Sequence, residues 1–356
     1  MKRASVRVTS LDVAALAGVS QSAVSRAFTP GASISQSKRE RILEAARKLN
    51  YVPNSIAASL TTRRTNMVAV ILGDLDNPFY VQVLKTLITR LQAQDRQILT
   101  FAVERDTDGD AALMRVLRYQ VDGIIMTSAQ LSTRMVSLCH ERGIPIVLFN
   151  RYVPGSEASV VRCDNVAGGR LMAEAFLRAG ARTFAVIKGD PRGTTSQDRL
   201  RGFIERLVEG GIQRSAITEL EGESTYSGGH GAVLNAFGTD SSSLPDALFG
   251  INDVMAMGAM DALRGELRLR VPEDIMVGGF DNTDEAARWP YRLTTVEQPI
   301  AEMVSQTLEI LHLDEPGLPI EPGLDRQVAG RLIWRETIPR RAAVPAGDQS
   351  GVEVSG

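Results

Sequence analysis

Two regimes of hydrophobic patterning meet near residue 66. Up to that point the apolar positions recur at helical spacing in short stretches, which predict three small helices over residues 9–17, 21–28 and 39–49. Beyond it, brief apolar runs at 68–72, 98–102, 124–126, 146–149, 184–187, 247–249 and 275–277 alternate with longer amphipathic segments. Such alternation is the mark of βαβ units and mostly parallel sheets. So many strands exceed one comfortable sheet, so the pattern predicts two doubly wound subdomains with a ligand cleft at the carboxyl ends of their strands.

Polar punctuation sharpens the first regime. Thr9 and Asp12 form a T-x-x-D capping signature at the start of the first helix, and Ser37 with Glu40 offers an S-x-x-E box for the third. Between the first two helices Gly18 is free to take a positive φ, Val19 turns inward and Ser20 caps the second helix, which makes a helix-turn-helix corner. On the second helix Val24, Ala27 and Phe28 share one side, while Gln21, Ser22, Ser25 and Arg26 share the other. Short polar arms with one cation suit a helix pressed into a major groove, where Gln reads adenine edges and Arg reads guanine.

Charge supports this division. Overall the chain is nearly neutral, with 40 basic and 42 acidic side chains, yet residues 1–66 carry a net +8 and the remainder a net −10. A basic head on an acidic body reads as a nucleic-acid-binding module joined to something that is not one.

The strings DVAALAGVSQSAVSR (residues 12–26) and NYVPNSIA (residues 50–57) resemble the headpiece of the lactose-repressor (LacI/GalR) family of bacterial transcription regulators, with the turn glycine in register. Departures at Leu11, Ala23, Phe28 and Thr29 bear on which bases are read. The resemblance implies DNA contacts from Thr9, Ser20, Gln21, Ser22, Ser25, Arg26, Ser35, Tyr51 and Asn54. It also implies that the segment after Pro53, too short to be helical alone, folds as a hinge helix when two copies pair on DNA. Ile56 would then pack against its twin, Ala57 face the minor groove and Leu60 wedge between base pairs.

The likeness continues through the body in NPFY (77–80), LFNR (148–151), RLRGF (199–203), NDVMAMG (252–258), VPEDI (271–275), GFD (279–281) and LTTV (293–296). It implies an N-terminal all-α helix-turn-helix headpiece plus an α/β periplasmic-binding-protein-like core of two doubly wound parallel-sheet subdomains. The expected domains are a headpiece at 1–52, a hinge at 53–65, a core at 66–340 and a flexible tail at 341–356. Within the core, the N-subdomain is expected at about 66–163 and 293–322, and the C-subdomain at about 164–292 and 323–340. The family pattern places Phe79, Thr127, Asn150, Thr195, Arg199, Asn252 and Asp281 in the cleft as effector ligands. Their chemistry agrees: Asp281 and Asn150 suit ring hydroxyls, Arg199 offers a two-pronged bond to a hydroxyl pair or an anion, and Phe79 offers an apolar face to a sugar ring or base. Asp253 reads instead as a helix cap. Where relatives often place an aromatic ring after Leu220, this chain has Ser224 and only later Tyr226, which turns the expected effector away from a nucleobase and toward a small polyol, sugar or sugar derivative. The tail has no leucine heptad, so the expected assembly is a homodimer.

Other classes fare worse. His140, His230 and His312 show no metal-type spacing, Cys139 and Cys163 form no C-x-x-C, and there is no G-x-S-x-G elbow or P-loop, so neither enzyme nor cofactor is expected. Gly168-Gly169 and Gly278-Gly279 read as turn or packing glycines. No run of 18 apolar residues occurs, and MKRASVRVTSLD is no signal peptide, which predicts a cytoplasmic protein and argues against a periplasmic solute-binding protein. Operator DNA and a small effector are the expected partners. Inducer and corepressor, or repressor and activator, use the same parts, and the residues leave both choices open.

Overall fold

The computed structural model describes residues 8–29, 31–53, 64–103, 109–127, 131–238, 244–313 and 321–340. Asn54, Ala57, Leu60 and the tail at 341–356 lie outside them. The chain divides into two units, Met1–Asn66 and Met67–Gly356.

In the first unit, α1 (Ser10–Ala17), α2 (Gln21–Phe28) and α3 (Gln36–Lys48) close around Val13, Val24 and Ile42, which are buried. The Thr9 amide and hydroxyl both donate to the Asp12 carboxylate at 2.8 Å, and Gly18 takes φ 61° at the corner. Ser20 accepts the Ala23 N–H at 3.3 Å and so caps α2. The third helix starts earlier than the S-x-x-E reading places it: Ser35 is its N-cap, and Glu40 accepts a hydrogen bond from Gln36 at 2.8 Å. Two serines and a glutamine in succession offer several capping frames, and packing of Ile42, Ala45 and Ala46 chooses among them.

The second unit holds two six-stranded sheets. The N-lobe comprises β1 (Met67–Gly73), α4 (Pro78–Gln92), β2 (Gln97–Val103), α5 (Gly109–Val116), β3 (Gly123–Met126), α6 (Thr133–Glu141), β4 (Ile146–Phe149) and β5 (Ser159–Cys163). The C-lobe comes next with α7 (Asn165–Ala179), β6 (Phe184–Lys188), α8 (Thr194–Glu209), β7 (Ile217–Glu221), α9 (Tyr226–Phe237), β8 (Ala247–Gly250), α10 (Asp253–Asp261), β9 (Met276–Asp281), α11 (Asp284–Ala287) and β10 (Thr294–Glu297). The chain then returns to the N-lobe for α12 (Ile300–Leu311) and β11 (Asp325–Val328), and ends in the C-lobe with β12 (Arg331–Ile333).

Strand order is β11-β5-β4-β3-β1-β2 in one sheet and β12-β10-β9-β8-β6-β7 in the other, all parallel except the β10–β12 pair. Strand β1 shows why its run is continuously apolar: Val68, Val70 and Leu72 join one cluster while Ala69 and Ile71 join another, so both faces are covered. The expected subdomain boundaries need correction. Strand β10 pairs with β9 from Thr294↔Gly278 to Glu297↔Asp281, and so belongs to the C-lobe. Strand β11 pairs with β5 and belongs to the N-lobe. The chain therefore crosses between β10 and α12 and again between β11 and β12, not at 292–293 and 322–323. Period-2 patterning states that a segment is a strand but not which sheet will take it.

Candidate functional site

The head presents one row of polar side chains over its apolar core. Gln21, Ser22, Ser25 and Arg26 are exposed on α2, opposite the buried Ala23, Val24 and Ala27. The row is partly ordered by its own bonds: Gln21 Nε2 donates to Ser10 Oγ at 3.0 Å, and the Ser20 and Ser22 hydroxyls stand 3.0 Å apart. Arg26 Nε donates to the Ser22 carbonyl at 3.3 Å. Ser20 and Ser35 are exposed beside helix starts, Thr9 is exposed but engaged with Asp12, and Tyr51 is half-buried, its ring edge-on to Phe28 at 5.9 Å.

In the core, a cleft opens where the carboxyl ends of the two sheets meet. Its outer chamber, of about 430 Å³, is lined by Asp74, Thr127, Arg151, Asp190, Arg192, Glu221, Glu223 and Ser224 among others. That volume lies within the usual range for small-molecule sites. A smaller inner chamber is lined by Asn77, Phe79, Tyr80, Asn150, Thr195, Arg199, Asn252 and Asp281, and it shares Asp74, Arg151 and Ser224 with the outer one. Six of the seven residues expected in the cleft thus lie together in the inner chamber, and Thr127 lines the outer one. Each stands just past the end of a strand or opens the helix after it: Thr127 after β3, Asn150 after β4, Asn252 after β8, Asp281 ending β9, Phe79 opening α4, Thr195 and Arg199 on α8. This is the place that the switch points of a doubly wound sheet leave for a ligand.

Arg199 and Asp281 form the floor. Arg199 Nε donates to Asn165 Oδ1 and its NH1 to the Ile251 carbonyl, both at 2.8 Å; the same NH1 lies 3.2 Å from Asp281, and the guanidinium stacks 3.7 Å over the Phe280 ring. Asp281, held at φ 129°, also accepts Gln298 Nε2 at 2.7 Å and a hydrogen bond from Asn77. Burial raises the Asp281 carboxyl to about 7; Arg199 pulls the other way but shares its charge with several partners, while Asp253 pushes up. Asn150 Oδ1 and Arg151 Nε are buried without a hydrogen-bond partner, an acceptor and a donor available to an incoming ligand.

One side chain takes a role other than expected. Asn252, not Asp253, caps α10, accepting the Met255 N–H at 2.8 Å. Asp253 is fully buried and binds Thr283 and Thr295, the hydroxyl of the latter at 2.5 Å, which braces the backbone behind Asp281. Ser224 sits at φ 59°, and its hydroxyl accepts the Asp190 N–H at 3.0 Å, so this position holds the loop closed and offers no ring for stacking. Arg151, Asp74, Asp190 and Arg192 escaped the sequence reading. Arg151 is part of the LFNR motif, and the others carry no signal beyond their places after strands.

The raised carboxyl gives a testable sign. A group with an elevated folded pKa contributes stability that is complete below its unfolded value, about 3.9, and lost as pH rises through about 7. Asp281→Asn removes that titration. Wild type should therefore lose stability relative to the variant between these limits, read from thermal unfolding of both across the range; parallel profiles would mean that Asp281 does not titrate there.

Comparison with known proteins agrees with this geometry. Residues 9–54 match the model for bacterial regulatory proteins of the lacI family, and residues 173–338 that for a periplasmic binding protein-like domain. The HTH-type transcriptional regulator DegA of Bacillus subtilis (strain 168) is 33% identical over 307 residues, covering 84% of this chain and 88% of that protein. The HTH-type transcriptional regulator CelR of Thermobifida fusca is 30% identical over 306 residues, covering 84% and 89%. Among solved structures, the lac repressor dimer bound to operator and the anti-inducer ONPF superposes with a TM-score of 0.83 at 25% identity, covering 94% of this chain and 99% of that one. A transcriptional regulator CelR–cellobiose complex gives 0.67 at 28% identity, covering 93% and 100%.

Proposed function

Because this chain belongs to the LacI family of bacterial regulatory proteins and is a helix-turn-helix transcriptional regulator, we propose that it represses transcription as a homodimer released from a pseudo-palindromic operator by a sugar-like effector. Each head would lay α2 in a major groove, and twofold symmetry of the dimer would be mirrored in the site. The segment after Pro53 would pair across the dimer as a hinge through Ile56, with Ala57 facing the minor groove, Leu60 wedged between base pairs and Asn54 among the DNA contacts. The observation that carries the effector side is the polar cleft between the lobes, with Asp281, Arg199 and Asn150 converging on one chamber. A regulator of this kind works in the cytoplasm and turns nothing over.

The effector acts by preferring one setting of the lobes. A differential affinity worth about 3 to 5 kcal/mol changes operator occupancy by two to three decades or more. The direct test is a thermal-shift screen of the full chain against monosaccharides, disaccharides, sugar acids, polyols, sugar phosphates and nucleosides. A ligand at 100 times its Kd adds about 2.7 kcal/mol, enough to see. Hits go into release assays on an operator selected from random duplex. Release supports the reading, whereas a panel without hits, or a hit that leaves DNA binding unchanged, refutes it.

Arg26→Ala tests the head. It should weaken operator binding by about 10- to 100-fold, the discrimination one good base contact supplies, and leave the thermal shift with ligand as it was. Equal operator affinity in gel-shift titrations of both proteins would remove Arg26 from the interface.

A further inference from the structure

Helix α8 carries a second polar row beside the one that lines the cleft. Asp198, next to Arg199, is 2% exposed and is engaged by the N-lobe. The Tyr152 phenol donates to it, 3.4 and 3.2 Å from its two oxygens, and the Arg162 guanidinium stands 3.4 Å away. Arg201, on α8 itself, approaches at 2.8 Å. Arg162 is in turn gripped by Asp325 on β11 at 2.9 and 2.8 Å and lies 4.4 Å over the Tyr152 ring. The Thr194 hydroxyl completes the group by accepting the Tyr152 N–H at 3.3 Å.

The division of these charges between the lobes is informative. Arg162 and Asp325 neutralise each other on the N-lobe, and Asp198 and Arg201 do so on the C-lobe. The cluster can therefore part without stranding a buried charge on either side, which suits a reversible contact better than a permanent brace. A fixed core pair would leave one partner uncompensated when broken.

We propose that Asp198 is a positioning residue: it ties α8 to the N-lobe through Tyr152 and Arg162, so that Thr195 and Arg199 move over the cleft together with the setting of the two lobes. Effector binding at Thr195 and Arg199 would then make or break the Asp198 contacts on the adjacent face of the same helix. The proposal rests on the reading of the cleft as the effector site, but the lobe setting itself is measurable without any ligand. Failure of the contact and failure of the effector reading are thereby separated.

The experiment uses the full chain with spin labels at Arg134→Cys on α6 and Gln213→Cys beyond α8, both exposed; the native Cys139 and Cys163 are buried and stay unlabelled. Electron–electron distance measurements on labelled chain mixed with an excess of unlabelled chain, so that a dimer carries labels on one protomer only, should give one narrow distribution in the otherwise wild-type protein. Asp198→Leu should broaden and displace it, Tyr152→Phe should do so to a smaller extent, and the double variant should move no further than Asp198→Leu alone. Unchanged distributions in both single variants would overturn the proposal. If Asp198→Leu fails to fold, Tyr152→Phe decides alone, since its ring can stay under Arg162.

Discussion

Arg199→Ala should remove the effector response and destabilise the core by about 3 to 5 kcal/mol, the usual cost of stranding one member of a buried ion pair. Four partners lose it at once: the Asn165 amide oxygen, the Ile251 carbonyl, the Asp281 carboxylate and the Phe280 ring. The loss should depend on pH. With its carboxyl raised to about 7 by burial, Asp281 can take up a proton when its cation is gone, so the variant should be closer to wild type at pH 6 than at pH 8. Urea unfolding at the two pH values measures the cost, and the thermal-shift screen measures the response. A loss below about 1 kcal/mol at both, typical of an exposed pair, would contradict the burial described for this site.

Gly202→Ala sets two effects against each other, and packing should win. Helix propensity alone predicts a gain of about 1 kcal/mol for replacing a glycine inside α8. But a Cβ on Gly202 would stand 2.0 Å from the Val166 carbonyl oxygen, and one on Gly169 would stand 2.2 Å from that of Arg199. These are backbone atoms of the facing helix and cannot rotate away. Helices α7 and α8 meet through these two glycines, so the substitution must push them apart, at a cost of about 3 kcal/mol or more by the experience of overpacked cores. Because Thr195 and Arg199 ride on α8, ligand binding should weaken as well. A stabilised Gly202→Ala variant would show that the two helices are not in contact at this point.

How legible each feature was depends on the kind of information that carries it. The first two helices of the head were legible almost to the residue, because caps, a turn glycine and a 3.6-residue period are local signals: Thr9, Asp12, Gly18 and Ser20 act as their types require. In the core, strongly apolar strands such as β1 and β4 announced themselves. Strands β7 and β11, which run ITELE and DRQV, did not, since they lie at sheet edges where polar side chains reach solvent. The convergence of Phe79, Asn150, Thr195, Arg199, Asn252 and Asp281 on one chamber came from a family pattern and agrees with their positions at strand ends. Gln298, whose amide donates to Asp281, had no such signal. It lies just past β10, where the chain leaves one lobe for the other, and only the three-dimensional pairing brings it there.

The order in which the lobes borrow chain bears on how the protein is made. Each sheet takes an edge strand from the last described stretch, β11 for one and β12 for the other, whereas the three helices of the head are contiguous and come first. During synthesis the head has everything it needs to fold long before either lobe can close its sheet. A polypeptide released early, anywhere between Glu297 and Asp325, would carry an intact head and two lobes with open strand edges. It would be able to meet DNA but not to hold a finished cleft, and its exposed edges would invite association with other chains.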